Sequence, residues 1–539
     1  MSILPAMRNP IRLAIPAAIA LVLAAVSIVN LDRAGSGLDR RTLDVDGVPM
    51  ELFLPARPAE AQLPAVLVVH GFSGNRQLMY GFGHTLARSG YVAALIDFAG
   101  HGASLDRLPD SFSGDAQYQK LAANITRARS YLRSQAFVDP DRVAILGHSM
   151  GASAVARYGS THTDVPATIA LSLGNFGRQL PDDPTRPRNF LILVGAAEFA
   201  GFIQGSTAGL TAAYPDGVAG QTYGSFADGT ARRLVYVPDV EHISILFSHH
   251  AYGEIVRWLD RVFDLGPADR PIEADARIGW VLLLYLAAAI GFYVLAHVLL
   301  PAVDRPAPAS ASVPGGWGVL ASLVAAILAP VLLWLGVVPY KWMPLTVGNY
   351  VGLYFLTYGL IVGGAYGLLQ RRRSPATAEA APQPLGVVSA PPHLLRVVPT
   401  ALILAAYALV TFGLPAHLTW NNFALAGDRA WVAVVLFGCC LAFFLADEMM
   451  VARASRRTRA GLYALTKLVV LVSLVASVGV LGAPGFLLLL VPVMVVLFLW
   501  HGVYSHWLFG LARRPWVAAV VNAAVFAWVI SATFAVVQY

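Results

Sequence analysis

The chain has 539 residues, 57% of them hydrophobic and 13% charged, a balance that excludes a purely soluble protein. Its net charge of +7 comes from arginines in short loops of the C-terminal half, and no basic stripe interleaved with aromatics marks a nucleic-acid surface. Cys439 and Cys440 are the only cysteines and are adjacent in an apolar run. They offer neither a disulfide framework nor a metal-ligand spacing, and no metal or cofactor is expected.

Residues 11 to 30, IRLAIPAAIALVLAAVSIVN, follow Arg8 and carry Arg12 at their start. They are as long as the roughly 20 residues that cross a bilayer and longer than a usual signal core, so an uncleaved anchor over 1–31 is expected. A polar region over 40–265 follows. There RTLDVDGVPMELFLP predicts an antiparallel pair turning at Asp46 and Gly47. The apolar runs LPAVLVVHGF, YVAALIDF, RVAILGHS, ATIALSL, NFLILVGA and RRLVYVPDV alternate with helical stretches such as DAQYQKLAANITRARSYLRSQ. That alternation predicts an α/β domain with a mostly parallel sheet covered on both faces, whose chemistry gathers at the carboxyl ends of the strands.

From residue 278 to 538 the chain predicts an all-α membrane domain of eight further spans, at 278–300, 317–338, 345–369, 395–415, 430–451, 461–482, 485–507 and 516–537. With the N-terminus inside, Arg305, Arg371, Arg372, Arg373, Arg396, Arg453, Arg456, Arg457, Arg459, Arg513 and Arg514 all fall in inside loops, while the outside loops carry little more than Lys341 and Arg429. The positive-inside rule then predicts a multi-pass cell-membrane protein whose polar domain faces away from the cytoplasm. Two Ala/Pro-rich stretches, DRPAPASASVPGG and SPATAEAAPQPLGVVSAPP, read as inside linkers. Asp447 and Glu448 are costly against lipid, and near a span end they are expected to snorkel toward Arg453 or Arg456. His297, His501 and His506 also fall near span ends and receive no ligand role. His417, Trp420, Asn421 and Asn422 lie in an outside loop that could line the approach to the polar domain.

In ILGHSMGAS, Ser149 closes an apolar strand and opens a small-residue helix. A sharp strand-to-helix turn of this kind strains the serine and exposes its hydroxyl, and it needs Gly147 and Gly151 because side chains there would meet the crossing chain. A serine hydroxyl is a poor nucleophile until a base takes its proton and a carboxylate orients that base. His242, in VPDVEHISILF after the last strand, is the expected base; His249 and His250 begin a helix and should face solvent. For the acid, Glu198 in LVGAAEF closes the preceding strand and is preferred to Asp239, which shares a loop with His242. The backbone N–H groups of Met150 and Phe72 are the expected oxyanion donors, with His70 and Gly71 shaping the second of these turns.

Taken as a set, HGFSG, DFAGHGAS, VDPDRVAILGHSMGAS, GAAEF and DVEHISIL resemble the α/β-hydrolase superfamily, nearest to its dienelactone-hydrolase-like and serine-aminopeptidase-like branches. The resemblance covers about residues 40 to 265. It implies the α/β-hydrolase fold and a triad of Ser149, His242 and an acid that by position matches Glu198, where these branches usually carry aspartate. Asp97 matches a structural position, and His148 one that shapes the elbow. The expected activity is that of a membrane-embedded serine hydrolase, carboxylesterase- or lipase-like, cleaving an ester in preference to an amide through an acyl-enzyme, on a small-molecule, lipid or envelope-associated substrate. An acyltransferase with the same triad, or a ligand-binding domain on a transporter or sensor, are the competing readings.

Overall fold

The computed structural model describes residues 10–55, 62–110, 114–266, 271–300, 315–373, 394–451, 458–512 and 514–539. Both Ala/Pro-rich stretches fall almost wholly outside the described residues, as do Arg8, Arg305, Arg453, Arg456, Arg457 and Arg513. Contacts divide the chain into a helical unit, Met1–Ala24, Tyr285–Leu414 and Asp428–Ser531, and an α/β unit, Ala25–Leu284, Pro415–Gly427 and Ala532–Tyr539.

In the α/β unit, β1 (Leu38–Val45) and β2 (Val48–Pro55) form the expected hairpin, paired from Leu38 with Pro55 to Val45 with Val48. The turn places Asp46 at φ 50° and Gly47 at φ 83°, the left-handed pair that fits the twist of a tight hairpin. The other strands are β3 (Leu63–Val69), β4 (Val92–Ile96), the two-residue β5 (Leu108–Pro109), β6 (Val138–His148), β7 (Thr168–Leu171), β8 (Phe190–Gly195), β9 (Thr222–Tyr223), β10 (Arg232–Val237) and β11 (Val537–Gln538). Among the described residues, nine of the eleven strands form one sheet in the order β1-β2-β4-β3-β6-β7-β8-β10-β9, and β5 and β11 pair separately. Pairing is parallel from β4 through β10 and antiparallel at both margins.

The central strands are buried along almost their whole length because helices cover both faces. On one side α2 (Tyr80–Arg88) and α6 (His249–Phe263) bring Phe82, Leu86, Tyr252, Ile255 and Leu259 onto Val66, Val68, Leu146 and Leu193. On the other, α3 (Asp115–Arg133) and α4 (Met150–Thr161) bring Leu121, Ile125, Leu132 and Val155 onto Leu67, Val69 and Ile145. Beside them α5 (Ala200–Thr211) sets Leu210 against Ile192 and Val194. This is the α/β-hydrolase fold, and it places the carboxyl ends of β3, β6, β8 and β10 together.

The remaining helices are α1 (Pro10–Gly35), α7 (Arg277–Leu299), α8 (Gly315–Trp334), α9 (Gly348–Arg373), α10 (Leu394–Thr419), α11 (Asp428–Val451), α12 (Arg459–Leu481), α13 (Leu487–Ala512) and α14 (Pro515–Thr533). Among the described residues, nine helices are long and apolar enough to cross a membrane, a pattern that fits a multi-pass membrane protein. Within the helical unit, Gly359 of α9 lets the backbone of α11 approach, since a β-carbon there would lie 2.4 Å from the Ala442 carbonyl carbon. Phe355, Phe443, Phe498 and Phe526 stack beside that contact.

Three expectations for this half need correction. Neither Asp447 nor Glu448 snorkels: both are buried, and Asp447 pairs through Oδ2 with the Lys467 ammonium of α12 while its Oδ1 accepts from Thr466 Oγ1 at 2.8 Å. The partner lies on a neighbouring helix, and an ion pair between helices leaves no mark in the local sequence. His501 is buried within α13, where its Nδ1–H donates to the Leu497 carbonyl at 2.6 Å. Finally, the last helix stops at Thr533, four residues before the expected end of the span, and the chain leaves it to form β11.

Candidate active site

Ser149 stands between the end of β6 and the first turn of α4, with φ 55° and ψ −112°. A non-glycine residue held in that region signals a site where surrounding structure overrides backbone preference. The neighbouring glycines show why the turn folds only with this sequence. A β-carbon at Gly147 would sit 2.3 Å from the Gly151 carbonyl oxygen, and one at Gly151 would sit 2.6 Å from the His70 carbonyl oxygen. Both clashes are with backbone and could not be relieved by a rotamer change.

The turned-out hydroxyl meets His242. Ser149 Oγ lies 3.0 Å from His242 Nε2, and His242 Nδ1–H donates to Glu198 Oε1. The carboxylate is held on its other side as well, with Glu198 Oε2 accepting from Ser172 Oγ at 2.9 Å and from Gly195 N at 3.3 Å. The histidine and acid loops are joined through backbone: Ala196 N donates to Val237 O at 2.8 Å and Ala197 N to Val240 O at 3.1 Å. Gly195 permits that approach, since a β-carbon there would meet the Val240 carbonyl at 2.4 Å. Phe202 covers the imidazole, its ring centroid 4.3 Å away, so His242 and Glu198 are both buried, at 3% and 7% exposure.

Asp239, the rival acid, is exposed and sits at φ 58° on the outer bend of the loop. His249 and His250 are exposed at the start of α6, as expected. His148 is buried and donates from Nε2 to the His242 carbonyl at 2.9 Å, fixing the histidine loop from beneath; burial holds its own pKa well below the usual histidine value. Asp97 accepts from Arg76 N at 2.7 Å and Ala103 N at 2.9 Å and pairs with the Arg76 guanidinium, a structural staple as the resemblance implies.

The turn after β3 lies against the elbow. A β-carbon at Gly71 would be 2.8 Å from His148 Nδ1 and 3.0 Å from Ser149 Cβ, so the next residue, Phe72, begins beside the serine. His70 shapes this turn: its Nδ1–H donates to Gly71 O at 2.7 Å while Nε2 accepts from Phe98 N at 3.1 Å. That pattern needs a neutral ring, and burial lowers its pKa. Met150 is the first residue of α4, where backbone N–H groups have no intrahelical acceptor. Phe72 and Met150 thus stand on the two turns that adjoin Ser149, whose half-buried hydroxyl has His242 behind it.

Ser172, the fourth polar side chain of this constellation, was not singled out by sequence reasoning. Its signal was present, since it directly follows β7 and every residue at such a strand end is a candidate for the site. It also adopts a positive φ of 57°. Among the described residues, no group of three or more His, Cys, Asp or Glu side chains could hold a metal ion.

Comparison with known proteins reaches the same region. Residues 61–197 match the family model of serine aminopeptidase, S33. Cutinase 1 of Thermobifida cellulosilytica is 34% identical over 110 residues, covering 20% of this chain and 38% of that enzyme. Bis(hydroxyethyl) terephthalate hydrolase of Streptomyces coelicolor is 25% identical over 215 residues, covering 40% of this chain and 61% of that enzyme. The chain therefore spans little more than a third of the cutinase it matches. Among solved structures, a glucuronoyl esterase from Solibacter usitatus aligns over 42% of this chain and 83% of its own, with a TM-score of 0.32 and 13% identity.

Proposed function

We propose that this chain, whose α/β unit belongs to the α/β-hydrolase superfamily of serine hydrolases, is a membrane-embedded serine esterase acting on a lipid or envelope-associated ester outside the cytoplasm. The observation that carries the reading is the unbroken line from Ser149 Oγ to His242 Nε2 at 3.0 Å, and from His242 Nδ1 to Glu198, set on a strained strand-to-helix elbow.

In this mechanism Ser149 Oγ attacks the ester carbonyl carbon while His242 Nε2 takes the hydroxyl proton. Glu198 stays ionised and stabilises the imidazolium. The carbonyl oxygen, now an oxyanion, accepts from the Phe72 and Met150 amides, each such donor being worth about 3 kcal/mol. His242 returns its proton to the departing alkoxide, leaving Ser149 acylated. A water then repeats the sequence, with His242 as base, and releases the acid.

Sidedness is supported by parity. Four helices, α7 to α10, separate Arg277 from residues 415–427, and four more, α11 to α14, separate these from residues 532–539. Both stretches belong to the α/β unit, as an even number of crossings requires. The arginine-rich loops alternate with them, which favours an extracytoplasmic α/β unit. A substrate drawn from the membrane or envelope suits a catalytic domain tied to nine spans. Intact cells treated with a membrane-impermeant fluorophosphonate should label this protein at Ser149, and the Ser149→Ala variant should not label. Labelling only after lysis would reject the sidedness, and equal labelling of the variant would reject the nucleophile.

A further inference from the structure

We propose that two distant returns of the chain, residues 420–422 after α10 and residues 535–538 at the C-terminus, position the loop that carries Phe72 and thereby set the oxyanion hole. The inference rests on reading Phe72 and Met150 as the oxyanion donors. Both returns belong to the α/β unit.

The first brace acts through Asn75, which is 1% exposed and three residues beyond Phe72. Asn75 Oδ1 accepts from Leu78 N at 3.3 Å and from Asn422 N at 3.0 Å, while Nδ2 donates to Asn421 Oδ1 at 2.5 Å. The asparagines opposite are themselves fixed. Asn421 N donates to Ala416 O at 2.9 Å, and the buried Asn422 carboxamide donates to Ala424 O at 3.2 Å. The Phe72 loop thus docks its carboxamide onto a turn that already has its own shape.

The second brace acts through the loop between β4 and β5. Val536 N donates to Gly100 O at 2.8 Å and Leu108 N donates to Val536 O at 3.0 Å, beside the pairing of β11 with β5. Gly100, at φ 77°, admits this strand only because it lacks a side chain, since a β-carbon would lie 2.5 Å from Val536 O. The same loop carries His101, whose ring meets Phe72 edge-on at 5.5 Å and lies 5.0 Å from His70.

Local bonds set the shape of the Phe72 turn, with Gly74 N donating to Gly71 O at 3.0 Å. Its placement relative to Ser149 depends on what stands behind it. An oxyanion donor is effective only within about 2.7–3.1 Å of the developing charge, and a displacement of about 1 Å can cost about 100-fold. Residues 36–276 alone would therefore contain every reacting group without the support that aims one of them.

The test uses the full-length chain. Asn421→Leu removes the acceptor that holds Asn75, whereas Asn421→Asp keeps it. Asn421→Leu is expected to lower kcat on an activated ester about tenfold or more with KM changed less than about twofold, and Asn421→Asp to keep most of the wild-type rate. Because sulfur is a weak acceptor, a matched thionoester gains less from the oxyanion hole, so the ester-to-thionoester rate ratio should fall in Asn421→Leu. Titrating the acylatable serine corrects for misfolded protein. An unchanged kcat and ratio, or an equal loss on both substrates, overturns the brace. Ser149→Ala run in parallel separates the two claims: turnover that survives there removes the serine mechanism itself.

Discussion

Ser172 Oγ donates to Glu198 Oε2 at 2.9 Å while the other carboxylate oxygen, Oε1, faces His242 Nδ1. The Glu198 carboxylate is therefore held from both sides, and in the triad proposed above a glutamate reaches His242 with its longer arm anchored at β7 as well as β8. Ser172→Ala removes one charge-assisted bond and leaves only Gly195 N, at 3.3 Å, on that oxygen. We expect kcat to fall about tenfold with KM nearly constant, in line with about 1.5 kcal/mol for a hydrogen bond to a charged group. An unaltered kcat would show that Glu198 needs no second anchor.

Glu198→Gln keeps the size of the acid and removes its charge, so the imidazolium that forms on His242 loses its counter-ion. Turnover should drop by about 10³- to 10⁴-fold, whereas Asp239→Asn, on the exposed bend, should behave as wild type. Steady-state rates of the two variants on one ester decide the matter; a crippled Asp239→Asn beside a healthy Glu198→Gln would transfer the acid role.

That Ser149, His242 and Glu198 come together was readable because each lies within five residues of the end of a buried strand, and such strands announce themselves as apolar runs bounded by turns. Gly147 and Gly151 were readable for the same local reason. What stayed hidden was bonding between residues far apart in sequence. Asp447 finds Lys467 on another helix, Asn75 finds Asn421 and Asn422 more than three hundred residues later, and Val537 pairs with Leu108 as a two-residue strand. A strand of that length has no periodicity to detect, and a carboxamide in a turn looks the same whether it faces water or a partner.

Three histidines of the α/β unit, His70, His84 and His148, are held neutral by burial, each with its pKa below the ordinary value. For His84 the cations Arg277, Arg40 and Arg88 add to the effect. The unfolded chain takes up protons near pH 6.5 while the native one does not, so this stability is present above about pH 6.5 and declines as pH falls below it. Heat inactivation should occur at progressively lower temperature from pH 7 to pH 5. His84→Leu should flatten that slope by up to one proton, about 1.4 kcal/mol per pH unit. A slope identical to that of wild type would mean that His84 is protonated in the native state.

A reporter that fluoresces only in the cytoplasm, fused after Tyr539, should stay dark, and the same reporter inserted near residue 381 should be bright. The expectation rests on the proposed topology, in which the nine candidate spans cross the membrane and the arginine-bearing loops lie inside. The opposite pattern would put the α/β unit in the cytoplasm and withdraw the envelope substrate.

The central claim is that Ser149 becomes acylated during turnover. Purified full-length protein can be mixed with an activated short-chain ester, quenched in acid within the first turnovers, and digested for peptide mass analysis. The account predicts the mass of one acyl group on the peptide that contains Ser149, absent from Ser149→Ala and accumulating further in Glu198→Gln if that variant slows deacylation more than acylation. Ester turnover with no acyl group on Ser149, or with undiminished rate in Ser149→Ala, would contradict it.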